Sequence, residues 1–388
     1  MSTQNNTCAP RLRFPGFTGE WEERLLGDSF EERNEKNRGD LPLLSLGEAG
    51  LVYQSETARK DNSNEDKSKY LRVAIGDIAY NTMRMWQGRC VYAGIEGIVS
   101  PAYTVCKPKE GIDPLFHFYL FKTNRMTQIF HQHSQGLVKD TLNLKFEAFA
   151  KIKYLVPSLA EQKKIAECLA DMDNLIAAQS ENVDALKEKK KGLMQQLFPQ
   201  NGETTPRLRF PGFDGEWEEK KLGDICSVNR GVRVTRKDLT DDGLYPVFQN
   251  TDRPLGFYNL SNVEPNNPFV IIGGSAGLIG YCKTKFWAAD DCAYFGDADI
   301  LDKYFLYCTL LLHSAEIKDN VRGGNIPRLE RASLERIIMH LPSLVEQQKI
   351  AECLSALDDQ ISAESAKLEA LKDHKKGLMQ QLFPQPAN

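Results

Sequence analysis

The chain contains two near copies of one frame. Residues 11–28, RLRFPGFTGEWEERLLGD, return at 207–224 as RLRFPGFDGEWEEKKLGD, with 15 of 18 positions identical. Residues 157–200 return at 342–385 with 29 of 44 positions identical. The segments that separate these copies show no obvious likeness to each other. A constant frame around two different inserts predicts two separately specified heads on one duplicated scaffold.

The length and composition bound the class of protein. A chain of 388 residues predicts two or three domains, and 41% hydrophobic with 26% charged residues is ordinary for a soluble globular protein. No apolar run approaches the roughly 20 residues that span a bilayer, and the start, MSTQNNTCAPRLRF, lacks the apolar segment of a secretory signal. The nine cysteines form no CxxC motif, which is typical of a reduced chain. We therefore expect a cytoplasmic protein without a metal site.

The net charge constrains the kind of partner. A stand-alone nucleic-acid-binding protein is usually basic, but this chain carries a net charge of −4. Contact with DNA would therefore have to come from local basic clusters, or be assisted by a partner subunit. Composition alone leaves the function open.

Each copy of the second repeated block begins with PSL and continues with helical periodicity. Apolar residues recur on average every 3.5 residues, and eight of ten seam positions in each copy are apolar. A period held this long favours coiled-coil pairing over packing of a helix on a globular surface. Roughly 38 residues at 1.5 Å each predict rods of about 57 Å. The predicted seam positions are Ile165, Leu169, Met172, Ile176, Gln179, Val183, Leu186, Lys190, Leu193 and Leu197, and then Ile350, Leu354, Leu357, Ile361, Glu364, Leu368, Leu371, Lys375, Leu378 and Leu382.

The ends of both helices are marked in the sequence. Ser158 and Ser343 stand three residues before Glu161 and Glu346, which is the spacing of a capping box. A proline follows two residues after the last leucine of each block. We expect each helix to begin at PSL with reciprocal hydrogen bonds between the serine and the glutamate.

Four polar residues interrupt the seams and predict how the helices pair. Gln179 and Glu364 lie near the middle of each helix, so they would meet in an antiparallel pair. Lys190 and Lys375 lie toward the C-terminal ends of the helices. A polar group in a coiled-coil seam fixes the register of the helices at a cost in stability. We favour antiparallel pairing within the chain, with parallel pairing between two chains as the alternative. The acidic partners that an antiparallel pair offers these lysines are Glu167, Asp171, Glu352 and Asp358.

The two inserts are predicted to be divergent versions of one α/β domain. In each, strand-like runs precede a helical stretch, at 114–133 and 303–320, and a last strand-like run leads into PSL. The expected domains are 1–156 (N-terminal segment and first head), 157–200 (first helix), 201–341 (linker, repeated segment and second head) and 342–388 (second helix).

No motif in the chain predicts an active site. The glycine-rich stretches NTMRMWQGRCVYAG and IIGGSAGLIG have neither the Walker pattern GxxxxGK[ST] nor the GxGxxG spacing. We interpret them as tight turns that let the backbone approach a phosphate or another strand. No GxSxG, HExxH or paired-carboxylate nuclease motif is present, and the six histidines form no set with metal-ligand spacing.

Arginine, lysine, asparagine and glutamine near the predicted loops are the candidates for DNA contact. Arginine, asparagine and glutamine can pair bidentately with a base edge in the major groove, whereas lysine more often binds phosphate. The candidates in the first head are Arg59, Lys60, Arg84, Gln87, Lys139, Asn143 and Lys145, with Ser134 and Gln135 beside them. Those in the second head are Arg230, Arg233, Arg236, Lys237, Asn250, Arg253, Arg322, Asn325 and Arg328. The loops ahead of the last strand are favoured over the rest of the surface.

The arrangement of repeats and inserts resembles the specificity (S) subunit of type I restriction–modification systems over nearly the whole chain. The likeness is carried by RLRFPGF…EW…LGD at both half-starts and by PSLxEQxKIAECL…KKGLMQQLFPQ at both half-ends. The stretches 76–103 and 270–282 are similar to segments of the family's target-recognition domains. The family usually has a basic residue in the second glycine turn, where this chain has Gly274 and Ser275.

This resemblance implies a fold and a mechanism. Two α/β target-recognition domains would be separated by an antiparallel pair of the repeated helices, with an internal pseudo-twofold repeat. Each domain would read one half of an asymmetric bipartite site in double-stranded DNA, and the helices would set the unread spacer. Two methyltransferase (M) subunits that bind S-adenosylmethionine, and restriction (R) subunits that use ATP and Mg²⁺, would join a chain that is itself non-catalytic and binds no cofactor.

Two other classes stay open at this point. A catalytic DNA methyltransferase with a fused recognition domain needs a cofactor loop and an NPPY-like tetrapeptide, whereas Asn267-Pro268-Phe269 lacks the first proline of that motif. A coiled-coil scaffold that binds no DNA is the other class. A methylation assay on the purified chain and a gel shift with random DNA separate the three.

Overall fold

The computed structural model describes residues 9–47, 50–57, 63–136, 138, 141–200, 202–324 and 327–384. The chain divides into two compact units: unit 1 is Met1–Gln179 with Lys367–Asn388, and unit 2 is Ser180–Ala366. Each long helix therefore contributes to both units. Among the described residues, no helix has the length and apolar character needed to cross a membrane.

Unit 1 contains a head of short strands and helices, followed by the first part of a long helix. Its strands are β1 (Glu22–Leu25), β2 (Phe30–Glu32), β3 (Leu44–Gly47), β4 (Gly50–Tyr53), β5 (Leu71–Val73), β6 (Ile78–Asn81), β7 (Cys90–Tyr92), β8 (Gly97–Val99), β9 (Tyr103–Pro108) and β10 (Lys153–Val156). Its helices are α1 (Leu26–Ser29), α2 (Pro114–Phe121), α3 (Asn124–His133), α4 (Phe146–Phe149) and the start of α5 (Leu159–Leu197).

Unit 2 repeats this plan. Its strands are β11 (Glu218–Lys221), β12 (Val228–Arg230), β13 (Tyr245–Phe248), β14 (Gly256–Tyr258), β15 (Asn267–Ile271), β16 (Ile279–Cys282), β17 (Trp287–Ala288), β18 (Cys292–Phe295) and β19 (Ile338–Leu341). Its helices are α6 (Leu222–Ile225), α7 (Lys303–Leu312), α8 (Ser314–Asp319), α9 (Arg331–Glu335) and the start of α10 (Leu344–Leu382).

The central sheets of the two units have the same strand order. The order is β2-β9-β6-β7 in unit 1 and β12-β18-β15-β16 in unit 2, with every pair of neighbours antiparallel. The repeated segments close each head in the same way, with β1 antiparallel to β10 and β11 antiparallel to β19. The smaller sheets differ: β3-β4 and β5-β8 in unit 1, but β14-β13-β17 in unit 2. The prediction of two divergent α/β domains in one internal repeat is confirmed.

Several predicted elements are shorter than expected, for local reasons. The predicted helix 114–133 is two helices, because Thr123 accepts the N–H of Met126 at 3.3 Å and starts α3 anew. One strand-like run of the first insert likewise forms two strands, β5 and β6, separated by a turn at Gly76 with a φ of +90°.

Each head is anchored by a tryptophan of the first repeated block and a phenylalanine of the helix that follows the sheet. In unit 1 the ring of Phe116 lies 5.8 Å from Trp21 and 5.4 Å from Phe383, between ring centroids. In unit 2 the ring of Phe305 lies 5.8 Å from Trp217 and 5.0 Å from Phe198. All six rings are buried. The head of each unit is thus packed against the last turn of one long helix, and in unit 1 this turn comes from the end of the chain.

The predicted capping boxes form only in half. The Ser158 hydroxyl accepts the N–H of Glu161 at 3.4 Å, and Ser343 does the same for Glu346 at 3.3 Å. The predicted reciprocal bond is wrong, because each glutamate accepts two hydrogen bonds from an arginine of RLRF instead. Arg13 donates to Glu161 through Nε and Nη2, both at 2.7 Å. Such a bidentate, charge-assisted pair outcompetes one bond to a backbone N–H.

The two long helices run antiparallel inside unit 1. Ile165 and Leu169, early in α5, share a buried cluster with Leu382 and Phe383 at the end of α10. Farther along α5, Asp173 pairs with Lys375. Sequence position therefore rises along one helix as it falls along the other.

Unit 2 has the same arrangement. Ile350 and Leu354 of α10 share a cluster with Leu197 of α5, and Lys190 donates to both carboxylate oxygens of Asp358 at 2.7 Å. Antiparallel pairing within one chain is confirmed in both units.

The lysine partners agree only in part with the prediction. Lys190 binds Asp358, one of the four predicted acids, whereas Lys375 binds Asp173, which was not among them. Asp173 directly follows the seam residue Met172, in the e position that flanks a coiled-coil seam, whereas Asp171 lies in the outer c position and is exposed.

A tyrosine of each head completes these pairs. Tyr119 donates its O–H to Asp173 at 2.8 Å, and Tyr304 donates to Asp358. Burial, reinforced by the neighbouring carboxylate, raises the pKa of both tyrosines. Each aspartate therefore joins the head of its unit to both long helices.

Candidate nucleic-acid interface

In unit 1 the loop between β6 and β7 presents several of the predicted residues to solvent. Met85 is fully buried and anchors the loop, and Gly88 ends its single 3-10 turn with a φ of +72°. Arg84 and Gln87 are exposed on either side of this anchor. Trp86 donates its indole N–H to the Met83 carbonyl at 3.1 Å. The buried methionine thus fixes a loop whose polar side chains point outward.

A second predicted loop meets the first at Thr82. The Thr82 carbonyl accepts the N–H of Leu144 at 2.9 Å, and the Thr82 N–H donates to the Ala102 carbonyl at 3.1 Å. Gln135 and Asn143 then exchange two backbone hydrogen bonds, at 2.9 and 2.8 Å. Residues from three separate segments therefore lie together at this end of the sheet.

Unit 2 repeats this junction at Ile272. Its carbonyl accepts the N–H of Leu329 at 2.9 Å, and its N–H donates to the Asp291 carbonyl at 2.8 Å. Arg322 and Arg328 exchange two backbone hydrogen bonds, both at 2.8 Å. We name these two residue pairs, Gln135 with Asn143 and Arg322 with Arg328, the loop bridges.

The glycine turn of unit 2 lies against this loop bridge. Gly274 donates its N–H to the Pro327 carbonyl, and Ser275 donates to the Asn250 carbonyl, both at 3.1 Å. A Cβ on Gly273 would clash with the Asp291 carboxylate. The sequence predicted that these glycines let the backbone approach a phosphate or another strand. The structure shows the turn in close approach to neighbouring backbone.

The Asp291 carboxylate tempers the positive charge in unit 2, and a backbone carbonyl holds a second arginine. Arg328 donates to Asp291 Oδ1 at 3.3 Å, and Arg230 donates to the Asp290 carbonyl at 2.6 Å. The unit 1 loop Thr82–Arg89 contains two arginines and no acidic residue. A locally basic surface thus exists in a chain whose net charge is −4.

The structure brings some of the predicted DNA-binding residues together and places others apart. Arg84, Gln87, Asn143 and Lys145 lie around the Thr82 junction, and Arg230, Asn250, Arg322 and Arg328 lie around the Ile272 junction. Arg233, Arg236 and Lys237 are exposed on the segment after β12. This segment is bonded to β17 rather than to the junction, through the Val232 N–H and the Ala288 carbonyl. Arg253 lies in the turn between β13 and β14. Arg59, Lys60, Lys139 and Asn325 lie outside the described residues.

The predicted seam positions are buried or half-buried along both helices. Fully or nearly enclosed are Ile165, Leu169, Met172, Gln179, Val183, Leu186, Lys190, Leu197, Ile350, Leu354, Leu357, Leu368 and Leu382. Half-buried are Ile176, Leu193, Ile361, Glu364, Leu371, Lys375 and Leu378.

Sequence reasoning missed Arg89 as a candidate. It is exposed and directly follows Gly88 in the same loop as Arg84. The signal was present in the sequence, because a basic residue directly after a glycine in a predicted tight turn is expected to be exposed.

Replacing Gly274 with alanine is expected to lower the free energy of unfolding of unit 2 by about 1–2 kcal/mol. Its φ is +79°, and the added Cβ would lie 2.9 Å from Asn250 Cβ. Gly324→Ala is the matched control, because no described atom lies within 4 Å of its Cβ position. Urea denaturation read out by hydrogen exchange in unit 2 measures the difference. Equal stability of the two variants would contradict the expectation.

The fold defines a two-headed protein in which two variants of one α/β domain are joined to a duplicated helical frame. The family model of the type I restriction modification DNA specificity domain matches residues 19–188 and 214–373. The chain belongs to this family, as predicted, and its function is that of a specificity subunit.

Known proteins similar to this chain carry the same description. The type I restriction enzyme MjaVIII specificity subunit of Methanocaldococcus jannaschii is 23% identical over 400 residues, which cover 94% of this chain and 92% of that one. The EcoDI specificity subunit of Escherichia coli is 25% identical over 156 residues, which cover 40% and 34%.

Solved structures show the same fold. The S subunit of the M. genitalium type I restriction–modification system aligns with a TM-score of 0.69 at 16% identity, covering 98% of this chain and 100% of that one. A chain from a study of complex assembly and conformational transition in the type I R–M system aligns with a TM-score of 0.51 at 16% identity, covering 97% and 100%.

Proposed function

We propose that each head reads one half of an asymmetric, bipartite sequence in double-stranded DNA. The observation that carries this proposal is the pair of matched junctions. At Thr82 and at Ile272 the same backbone hydrogen bonds hold loops that expose different side chains. A constant backbone frame with variable polar side chains is what two readers of different base sequences require. Because the exposed residues differ, the two half-sites differ.

The candidate residues divide by chemistry between reading bases and positioning the duplex. Arg84, Gln87, Asn250 and Arg322 are exposed and can pair with base edges, whereas Lys145 suits a phosphate. In this proposal the paired helices set the length of the unread spacer, since each helix contributes residues to both units. In this scheme half-site identity belongs to the heads, and spacing belongs to α5 and α10.

The partners proposed for this chain are two methyltransferase (M) subunits, with restriction (R) subunits joining through the complex. Two copies of one subunit need the same docking surface twice, and the heads differ, so the repeated frame is the place for it. Equivalent exposed residues of this frame include Leu12 and Leu208, at 41% and 42% exposure, and Glu22 and Glu218. S-adenosylmethionine, ATP and Mg²⁺ belong to the partners, and the chain itself is a non-catalytic, cytoplasmic subunit.

A chimera in which residues 29–156 replace 225–341 tests the proposal. Both segments end in the strand that pairs with the repeated block, β10 or β19, so the junctions are matched. When it is expressed with its M subunits in a host without other adenine methylation, we expect methylation of a site whose two halves carry the same sequence. Genome-wide mapping of methylated bases measures this.

The reciprocal chimera, with 225–341 in both places, is the matched control and should duplicate the other half-site. Modular reading would be refuted by chimeras that keep the parental asymmetric site. Methylation by the purified chain alone would contradict the non-catalytic role.

A further inference from the structure

The two loop bridges occupy the same place in their units. In each, one residue of the bridge stands directly before a leucine whose N–H binds the junction residue: Asn143 before Leu144, and Arg328 before Leu329. The opposite residue of each bridge is Gln135 in unit 1 and Arg322 in unit 2. Backbone bonding alone therefore aligns Gln135 with Arg322, although the surrounding sequences share no obvious likeness.

The leucine-side residues of the bridges differ from the opposite ones in their surroundings. The carboxamide oxygen of Asn143 is enclosed and has no hydrogen-bond partner among the described residues. Arg328 is 59% exposed but pairs with the Asp291 carboxylate at 3.3 Å. Gln135 and Arg322 are exposed. Within the part of the chain that the structure describes, the Arg322 side chain makes one hydrogen bond, to the Asp319 carbonyl, and it is long at 3.4 Å. Of the two positions in each bridge, this one has neither an enclosed side-chain oxygen nor an ion pair among the described residues.

We infer that Gln135 and Arg322 are specificity-determining residues at one shared reading position, Gln135 for an adenine and Arg322 for a guanine in the major groove. The inference rests on the proposed function and deepens it. A glutamine carboxamide donates to adenine N7 and accepts from its N6 amino group, whereas a guanidinium donates to both N7 and O6 of guanine. The two side chains present these different patterns from the same backbone position.

The neighbourhood of the position suits a duplex. In unit 1 it shares the junction with the loop of Arg84 and Arg89, and in unit 2 with the Ser275 turn. Arginine side chains and serine hydroxyls of this kind bind phosphate and fix register, so that one side chain can meet one base pair. Because two backbone hydrogen bonds already fix the backbone of this residue, contact of its side chain with a base costs little backbone conformational entropy.

The test exchanges the two side chains in the chain assembled with its M subunits. Gln135→Arg and Arg322→Gln are compared with Gln132→Arg and Arg336→Gln, which make the same charge changes at exposed positions of the same units. The readouts are the methylated motif in the host genome and the affinity of the purified complex for duplexes substituted at each base pair of the site. For Arg322→Gln we expect the preference for guanine at one base pair of one half-site to fall about 10- to 100-fold, and the other half-site to stay unchanged.

Gln135→Arg should shift one base pair of the other half-site from adenine to guanine. The inference is overturned if either variant keeps its full base preference, or if Arg322→Gln weakens all duplexes equally, which is the behaviour of a phosphate contact. Either result leaves the proposed function standing. The proposed function itself fails if the unaltered complex methylates no bipartite motif.

Discussion

Replacing Phe383 with alanine is expected to lower the free energy of unfolding of unit 1 by about 3–5 kcal/mol and to leave unit 2 unchanged. The Phe383 ring is 1% exposed and lies 5.4 Å from Phe116 and 6.4 Å from Trp21. Truncation would open a cavity between the head and the end of α10. The end of α10 thus stabilises the head of unit 1.

Hydrogen exchange followed by mass spectrometry resolves the two units in one experiment. Phe198→Ala is the mirror variant and should loosen unit 2 instead, because Phe198 stacks on Phe305. Lys376→Ala, at an exposed position of the same helix, controls for changes in α10 itself. If Phe383→Ala loosened both units equally, or neither, the assignment of this turn to unit 1 would be wrong.

The contacts that the ends of the two long helices make show what cannot be predicted from the sequence. The heptads of 157–200 and 342–385 specify two long helices and their antiparallel pairing. Both blocks end in the same KKGLMQQLFPQ. Identical ends carry no information about which head each one contacts, so only the folded chain shows that Phe383 packs on Trp21 and Phe198 on Trp217. The predicted hydrogen bond between each capping glutamate and the backbone N–H of its serine was wrong for a related reason. Arg13, which binds Glu161 instead, is 148 residues away from it in the sequence.

The candidate nucleic-acid interface was likewise predictable from the sequence only in part. Residue types capable of reading bases were visible in the sequence, and so were the loops that hold them. The correspondence between Gln135 and Arg322 was not, because it rests on backbone hydrogen bonds that any side chain permits. Two inserts can therefore diverge beyond recognition in sequence while keeping the same junction, and this freedom allows new specificities on one frame.

A buried histidine is present in the core of the first head and has no counterpart at the equivalent position of the second. In unit 1 His117 is fully buried, with Nε2 2.9 Å from the Tyr154 hydroxyl and Nδ1 2.7 Å from the Asp113 carbonyl. In unit 2 the equivalent positions, counted from the capping aspartate of α7 and along β19, are the apolar Leu306 and Met339. Burial lowers the pKa of His117 to about 4, because the charged imidazolium would lose its hydration.

Acid is therefore expected to destabilise unit 1 more than unit 2. An unfolded histidine has a pKa near 6.5, so between about 6.5 and 4 the unfolded chain binds a proton that folded His117 does not. The contribution is fully present above pH 6.5 and is lost as the pH falls, by about 3 kcal/mol at pH 4. Urea denaturation between pH 7 and 4, read by hydrogen exchange in each unit, measures the loss.

The decisive comparison is with His117→Leu, which copies the residue of unit 2. Tyr154 keeps its hydrogen bond to the Ser29 hydroxyl at 2.5 Å, so the variant removes the titrating group without leaving that hydroxyl unpaired. Carboxylates throughout unit 1 also lose stabilising interactions in acid, but they do so equally in both proteins. The parent should therefore lose about 3 kcal/mol more than the variant over this range, and parallel curves for the two would show that His117 charges in the folded state without cost.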